Sequence, residues 1–137
     1  MGTRSTTHFV YPDRTEPEAI IYRHWDGYPE GAGKDLMDFL KRVETFLDSR
    51  LTDPSYLAAR YVAFLADLFA PKPDEPRPGQ SMDPLDFISV GVVRQDPSDI
   101  EYRYVVICDG SVNVKAYEVS CSYPENVWSE TRVEIPA

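Results

Sequence analysis

Cysteine and histidine are scarce in this chain, two of each in 137 residues. Two thiols, Cys108 and Cys121, cannot frame a disulfide-stapled fold or a four-ligand zinc site. They flank a stretch that reads as a hairpin, so a close approach is open to them. A pair of buried free thiols is the expected state, which suits a reducing compartment. Long hydrophobic runs are also lacking: none nears the roughly 20 residues a membrane helix needs, so no membrane association is expected. The opening MGTRSTTHFVYPD carries no apolar signal-peptide core. Gly2 with Ser5 and Thr6 imitates a myristoylation pattern, but the next residues read as a strand and no basic stretch supports it.

Basic residues are few: Lys and Arg number 14 against 23 Asp and Glu, a net charge of -9. Such a chain repels phosphate backbones at long range, and no run of Lys or Arg offsets this, so direct nucleic-acid binding is disfavoured. A protein partner with a basic surface suits the charge better. Solubility alone is the plainer reading. What is present is a 42% hydrophobic composition with a mean hydropathy of -0.40, enough for one globular domain with a real core. Nine tyrosines favour half-buried strands or a binding surface.

Ser5 to Tyr11 and Ala19 to Trp25 read as two strands of an antiparallel hairpin. Asp26-Gly27 ends the second strand, and Pro29 to Gly33 leads into a helix. Leu36, Phe39, Leu40, Val43, Phe46 and Leu47 recur at helical spacing. Thr52-Asp53-Pro54 supplies a cap and a first-turn proline for a second helix, with a buried stripe of Leu57, Tyr61, Phe64, Leu65 and Leu68. The prolines between residues 70 and 84 make an extended connector. Strands are expected over Phe87 to Gln95, Ile100 to Cys108, Val112 to Cys121 and Val127 to Ile135, with Asp109-Gly110 as a hairpin turn. The order ββααββββ predicts an α+β fold, an antiparallel sheet of about six strands with a helix pair on one face.

The densest collection of polar and aromatic groups is Ile20 to Lys34, IIYRHWDGYPEGAGK. Alternation puts Tyr22, His24 and Asp26 on one strand face, with His8 on the neighbouring strand. Two imidazoles and a carboxylate suit acid–base or metal chemistry. No HxH or HExxH spacing supports a metal, and hydrogen-bonded sheet residues are the simpler assignment. The glycines at 27, 31 and 33 before Lys34 could offer backbone N–H groups to an anion, helped by Arg4 and Arg23. The phosphate-loop pattern fails at Tyr28 and Asp35, so a helix-opening loop is the plainer reading. Tyr22, Trp25 and Tyr28 could grip a partner, although Trp25 is expected to enter the core. No nucleophile motif and no carboxylate pair stands out.

Thr3-Arg4-Ser5-Thr6, taken with YRHWDGYPEGAGK from Tyr22 to Lys34, resembles a family of small bacteriophage and prophage proteins. Their chains open with T-R-S and then carry H-W-D-G-Y-x-x-G-x-G, and the family has no assigned chemistry. The resemblance covers about the first quarter of the chain. It implies a phage or prophage origin and a bacterial host cytoplasm, and it transfers no catalytic residue.

The leading expectation is a non-enzymatic accessory protein that acts by binding. One version inhibits a host defence protein by covering its basic nucleic-acid groove. A nucleotide-like ligand held by the 23–34 loop is the second reading. A small hydrolase using His24 and Asp26 is the third. The candidate binding residues are Arg4, His8, Arg23, His24, Trp25, Asp26, Tyr28, Gly31, Gly33 and Lys34. No catalytic residue, metal or cofactor is assigned. Homodimerisation through a strand edge is left open.

Overall fold

The computed structural model describes residues 2–71, 74, 79 and 82–136, without the side chains of residues 47–49. Most of the proline-rich connector expected over 70–84 lies outside the described residues. The β-branched and aromatic run STTHFV forms β1 (Ser5–Val10), and β2 (Ala19–Arg23) returns beside it, with Ser5 opposite Arg23 and Phe9 opposite Ala19. A π-helical turn at Pro29–Gly33 leads into α1 (Lys34–Leu47). A 3-10 turn over Asp48–Thr52 follows. The Asp53 carboxylate then accepts from the Tyr56 N–H at 3.1 Å and caps α2 (Pro54–Phe69), whose first turn begins on Pro54.

The second half adds a short helix α3 (Pro84–Phe87), then β3 (Val90–Val93), β4 (Tyr102–Ile107), β5 (Val114–Ser122) and β6 (Val127–Val133). All six strands join one sheet in the order β3-β2-β1-β4-β5-β6. Two features correct the expected layout. The sheet is mixed, because β1 and β4 run parallel in register from Ser5–Tyr102 to Val10–Ile107. The one-turn α3 also interrupts the ββααββββ order.

The parallel pair follows from the path between β3 and β4. Val93 stands opposite Ile20, level with His8, whereas Tyr102 begins β4 level with Ser5. Residues 94–101 must therefore run back down the sheet while passing over β2 and β1. They do so as a strap across the face that carries Thr6 and His8, and the Glu101 N–H closes onto the Arg4 carbonyl at 2.9 Å.

The helices cover the other face. Phe9, Ile21, Tyr104, Val106 and Ala116 alternate onto it and meet Leu36, Phe39, Leu40, Val43, Leu57, Tyr61 and Leu65 in one core. Phe39 touches the rings of Tyr61 and Phe64 at 5.2 and 5.4 Å, which ties α1 to α2. Phe46, expected in the buried stripe of α1, is instead 75% exposed, since the stripe runs past the sheet by its last turn. Leu68, near the end of α2, is also exposed.

Both cysteines are free thiols. Cys108 is buried beyond the end of β4, close to the start of β5, whereas Cys121 lies seven residues further along β5 from Val114, half-buried rather than buried. That run of strand is roughly 20 Å long, so the hairpin does not bring the thiols together.

Candidate functional site

The segments Thr3–Thr6 and Tyr22–Lys34 touch each other. The Gly27 N–H donates to the Thr3 carbonyl at 2.7 Å, and the buried Tyr104 hydroxyl donates to the Gly27 carbonyl at 2.6 Å. A Cβ at position 27 would fall 2.7 Å from the Thr3 oxygen and 2.9 Å from the Ser5 Cβ, so only glycine lets the loop lie this close to β1. At position 31 it would fall 2.9 Å from the Asp26 oxygen, which receives the Ala32 N–H. Gly33 packs against Tyr104 and Ile135. The motif spacing is thus the spacing of a clasp between the amino terminus, the 24–33 loop and β4.

The clasp decides what the sequence-nominated residues can do. The N–H groups of Gly31 and Gly33 point at the Tyr28 carbonyl, and the Lys34 N–H points at the Gly31 and Pro29 carbonyls. These amides are engaged within the turn and do not form an open anion cradle. Arg23 faces the helices: its side chain is 7% exposed, its Nη1 donates to Asp35 Oδ2 at 2.8 Å, and its Nε donates to the Trp25 carbonyl. Arg4 belongs to the opposite face and pairs with Asp99 of the strap at 3.4 Å. The two arginines therefore do not converge. His24 is half-buried, with Nδ1 at 2.9 Å from the Tyr22 hydroxyl, and no hydrogen bond joins it to Asp26.

What remains open at the clasp is its outer rim. Trp25 is 45% and Tyr28 44% exposed, which corrects the expectation that Trp25 enters the core. Asp26, Glu30 and Lys34 are exposed beside them. Tyr28 leans on the Tyr102 ring at 6.2 Å, and His24 meets Trp25 edge-on at 5.2 Å. Burial raises the Tyr102 phenol above its ordinary pKa, and the nearby Glu118, Glu30 and Glu101 carboxylates add to that. The rim is acidic and aromatic.

His8 belongs to a different place, the strap side of the sheet. Asp96 reaches down from the strap with a side chain only 7% exposed. Its Oδ1 accepts from Thr6 Oγ1 at 2.6 Å and lies 2.7 Å from His8 Nε2, while its Oδ2 accepts from Arg103 Nε at 2.6 Å. Arg103 also donates to Glu130 at 2.8 Å and lies over the Trp128 ring at 5.2 Å. Burial by itself would raise the Asp96 carboxyl. The hydrogen bond and charge of His8, with Thr6 and Arg103, overcome it and hold the carboxyl down at about 2.

This network pins the strap to β1 and β4. Among the described residues no hydroxyl or thiol other than Thr6 joins it by a hydrogen bond, and Thr6 donates to the carboxylate and not to the imidazole. Sequence reading found His8 and missed Thr6, Asp96, Arg103, Glu130 and Trp128. Asp96-Pro97 has the composition of an ordinary turn. The one available signal was an acidic residue in a chain-crossing loop, which is weak without the register.

Two clefts flank the pin. One, of about 880 Å³, lies between the strap and the start of β6, with Arg94, Gln95, Asn126 and Trp128 on its walls. The other, of about 490 Å³, lies between the β1–β2 loop and strands β4 and β5. Among the described residues no group of three or more His, Cys, Asp or Glu could hold a metal ion, and no helix is long and apolar enough to cross a membrane. Fold and site together define an α+β protein with one mixed six-stranded sheet, helices on one face and a pinned strap on the other. No family model, curated protein or solved structure matches the chain.

Proposed function

We propose that the chain is a binding protein, an accessory of phage or prophage type that grips a basic protein partner and performs no chemistry of its own. One observation carries this reading: Trp25 and Tyr28 stand out from a loop whose backbone is tied down beneath them. Rings already held in place lose little freedom on binding, and exposed Trp and Tyr are the residues that most often anchor an interface. Asp26 and Glu30 beside them, with the net charge of -9, favour a basic surface and speed its approach. The phage setting, and the version in which the partner is a host defence protein, rest on the motif resemblance and the charge. The test is affinity capture from bacterial lysate with the native chain and with a Trp25→Ala, Tyr28→Ala double variant of unchanged circular dichroism. A basic protein should be retained by the native chain alone and released by about 0.5 M salt. Equal retention by the double variant would end this reading.

A further inference from the structure

Apart from the adjacent Lys41 and Arg42, Lys and Arg are scattered singly along the sequence, yet the fold gathers three of them on the open sheet face. The 490 Å³ trough is lined by Arg14 from the β1–β2 loop, Arg103 from β4 and Lys115 from β5, with Glu130 as the one acidic wall residue. The carboxylates of Glu18, Asp96 and Glu130 answer the two arginines, which leaves Lys115 as the trough's uncommitted cation among the described residues. The floor is Val105 and Ile107, both half-buried, and the sides include the half-buried rings of Tyr11 and Tyr117. Arg103 is already committed to Asp96 and Glu130, and Arg14 to Glu18. Lys115 is exposed and has no ion-pair partner among the described residues.

We propose that this trough binds a small phosphorylated planar-ring compound of the nucleoside monophosphate class, with its phosphate on Lys115 and its ring on the apolar floor between Tyr11 and Tyr117. The volume is within the range of single-ligand pockets. The apolar floor favours a flat ring, and the guanidinium groups of Arg14 and Arg132, which lie over the Tyr11 and Tyr117 rings at 4.9 and 5.8 Å, bring a cation to each flanking tyrosine. The unpaired ammonium supplies the point charge a phosphate needs. Arg14 lies over the Tyr11 ring, and its exposed pair with Glu18 is strongly screened by water, so it can turn to the same phosphate at little cost. A long polyanion is excluded by the same net charge that a single phosphate tolerates. The site lies on the strap side of the sheet, away from the Trp25 rim, so it does not depend on the partner-binding reading.

The experiment is isothermal titration of the full chain with AMP, GMP, CMP and UMP, with the matching nucleosides, with inorganic phosphate, and with a single-stranded ten-nucleotide oligomer. At least one monophosphate should bind at micromolar to sub-millimolar concentration. Its nucleoside and inorganic phosphate should each bind at least tenfold more weakly. Lys115→Gln, at an exposed site, should keep the native melting temperature, lose at least tenfold in affinity and flatten the salt dependence. Tyr117→Ala should weaken the same ligand. No heat from any monophosphate at millimolar concentration overturns the proposal. So does unchanged affinity in Lys115→Gln, or phosphate alone binding as well as the nucleotide. An oligomer that binds more tightly than every monophosphate overturns it in favour of a nucleic-acid platform.

Discussion

Asp96 and His8 meet at 2.7 Å although 88 positions separate them in the chain. One residue is on the strap and the other on the central strand, so their contact ties the crossing connection to the middle of the sheet. The Thr6 and Arg103 side chains complete the tie from β1 and β4, which run parallel.

Removal of the carboxylate should therefore loosen more than one bond. Asp96→Ala leaves the Arg103 guanidinium half-buried without its inner partner and frees the strap from β1. Breaking a buried ion pair from one side costs about 3 kcal/mol. Urea denaturation of the variant should show that loss with an otherwise unchanged secondary structure. A loss below about 1 kcal/mol would mean that the strap is held by its backbone and by Ile100.

The same carboxyl predicts an acid limb. Its folded pKa lies at about 2, below the ordinary value of 3.8. The charged form is thus favoured by folding, and its contribution is complete above pH 4 to 5. It declines as pH falls and is gone below about pH 2, a total of about 2 kcal/mol. Denaturation midpoints followed from pH 6 to pH 2 should fall more steeply in the native chain than in Asp96→Ala. Parallel curves would show that the carboxyl is not responsible.

The clasp makes two opposite predictions for neighbouring positions. Gly27→Ala drives a Cβ to within 2.7 Å of the Thr3 carbonyl oxygen, a backbone atom that cannot swing away. It should cost about 2 kcal/mol, the usual range for forced overpacking. Ser5 touches the same glycine, but its Oγ is buried with no hydrogen-bond partner among the described residues. An unsatisfied hydroxyl is a burden, so Ser5→Ala should raise stability by about 1 kcal/mol. Thermal melts of the two variants give the signs directly. A destabilised Ser5→Ala would mean that the hydroxyl has a partner in solution.

These contrasts mark what the chain's local patterns could and could not reveal. The strands and both long helices were legible because alternation and 3.6-residue spacing are local, and Asp53-Pro54 announces the start of α2. The parallel β1–β4 pairing was not legible, because nothing local states which end of the sheet a connection returns to. The Asp96 cluster inherits that difficulty: Thr6, His8, Asp96 and Arg103 become neighbours only after the register is set. Trp25 shows the same limit on a smaller scale. Its apolar strand continues to Arg23 and then leaves the sheet, so the indole emerges where alternation would have placed it inside.

The two thiols allow a last test of the topology by chemistry. Cys108 is 2% exposed, and burial pushes its thiol up to about 12, despite the backbone hydrogen bond that lowers it. At pH 8 it is almost wholly protonated and shielded, and it should resist alkylation. Cys121 is half-buried on the strap side of β5, open to the larger cleft. Iodoacetamide should therefore label one site in the folded chain and two in urea, and Cys121→Ser should remove the native label. Mild oxidation should give no intramolecular disulfide, because seven residues of extended β5 part Val114, near Cys108, from Cys121. Rapid labelling of both thiols, or a monomeric disulfide formed without unfolding, would mean that β4 and β5 are not paired in the register described.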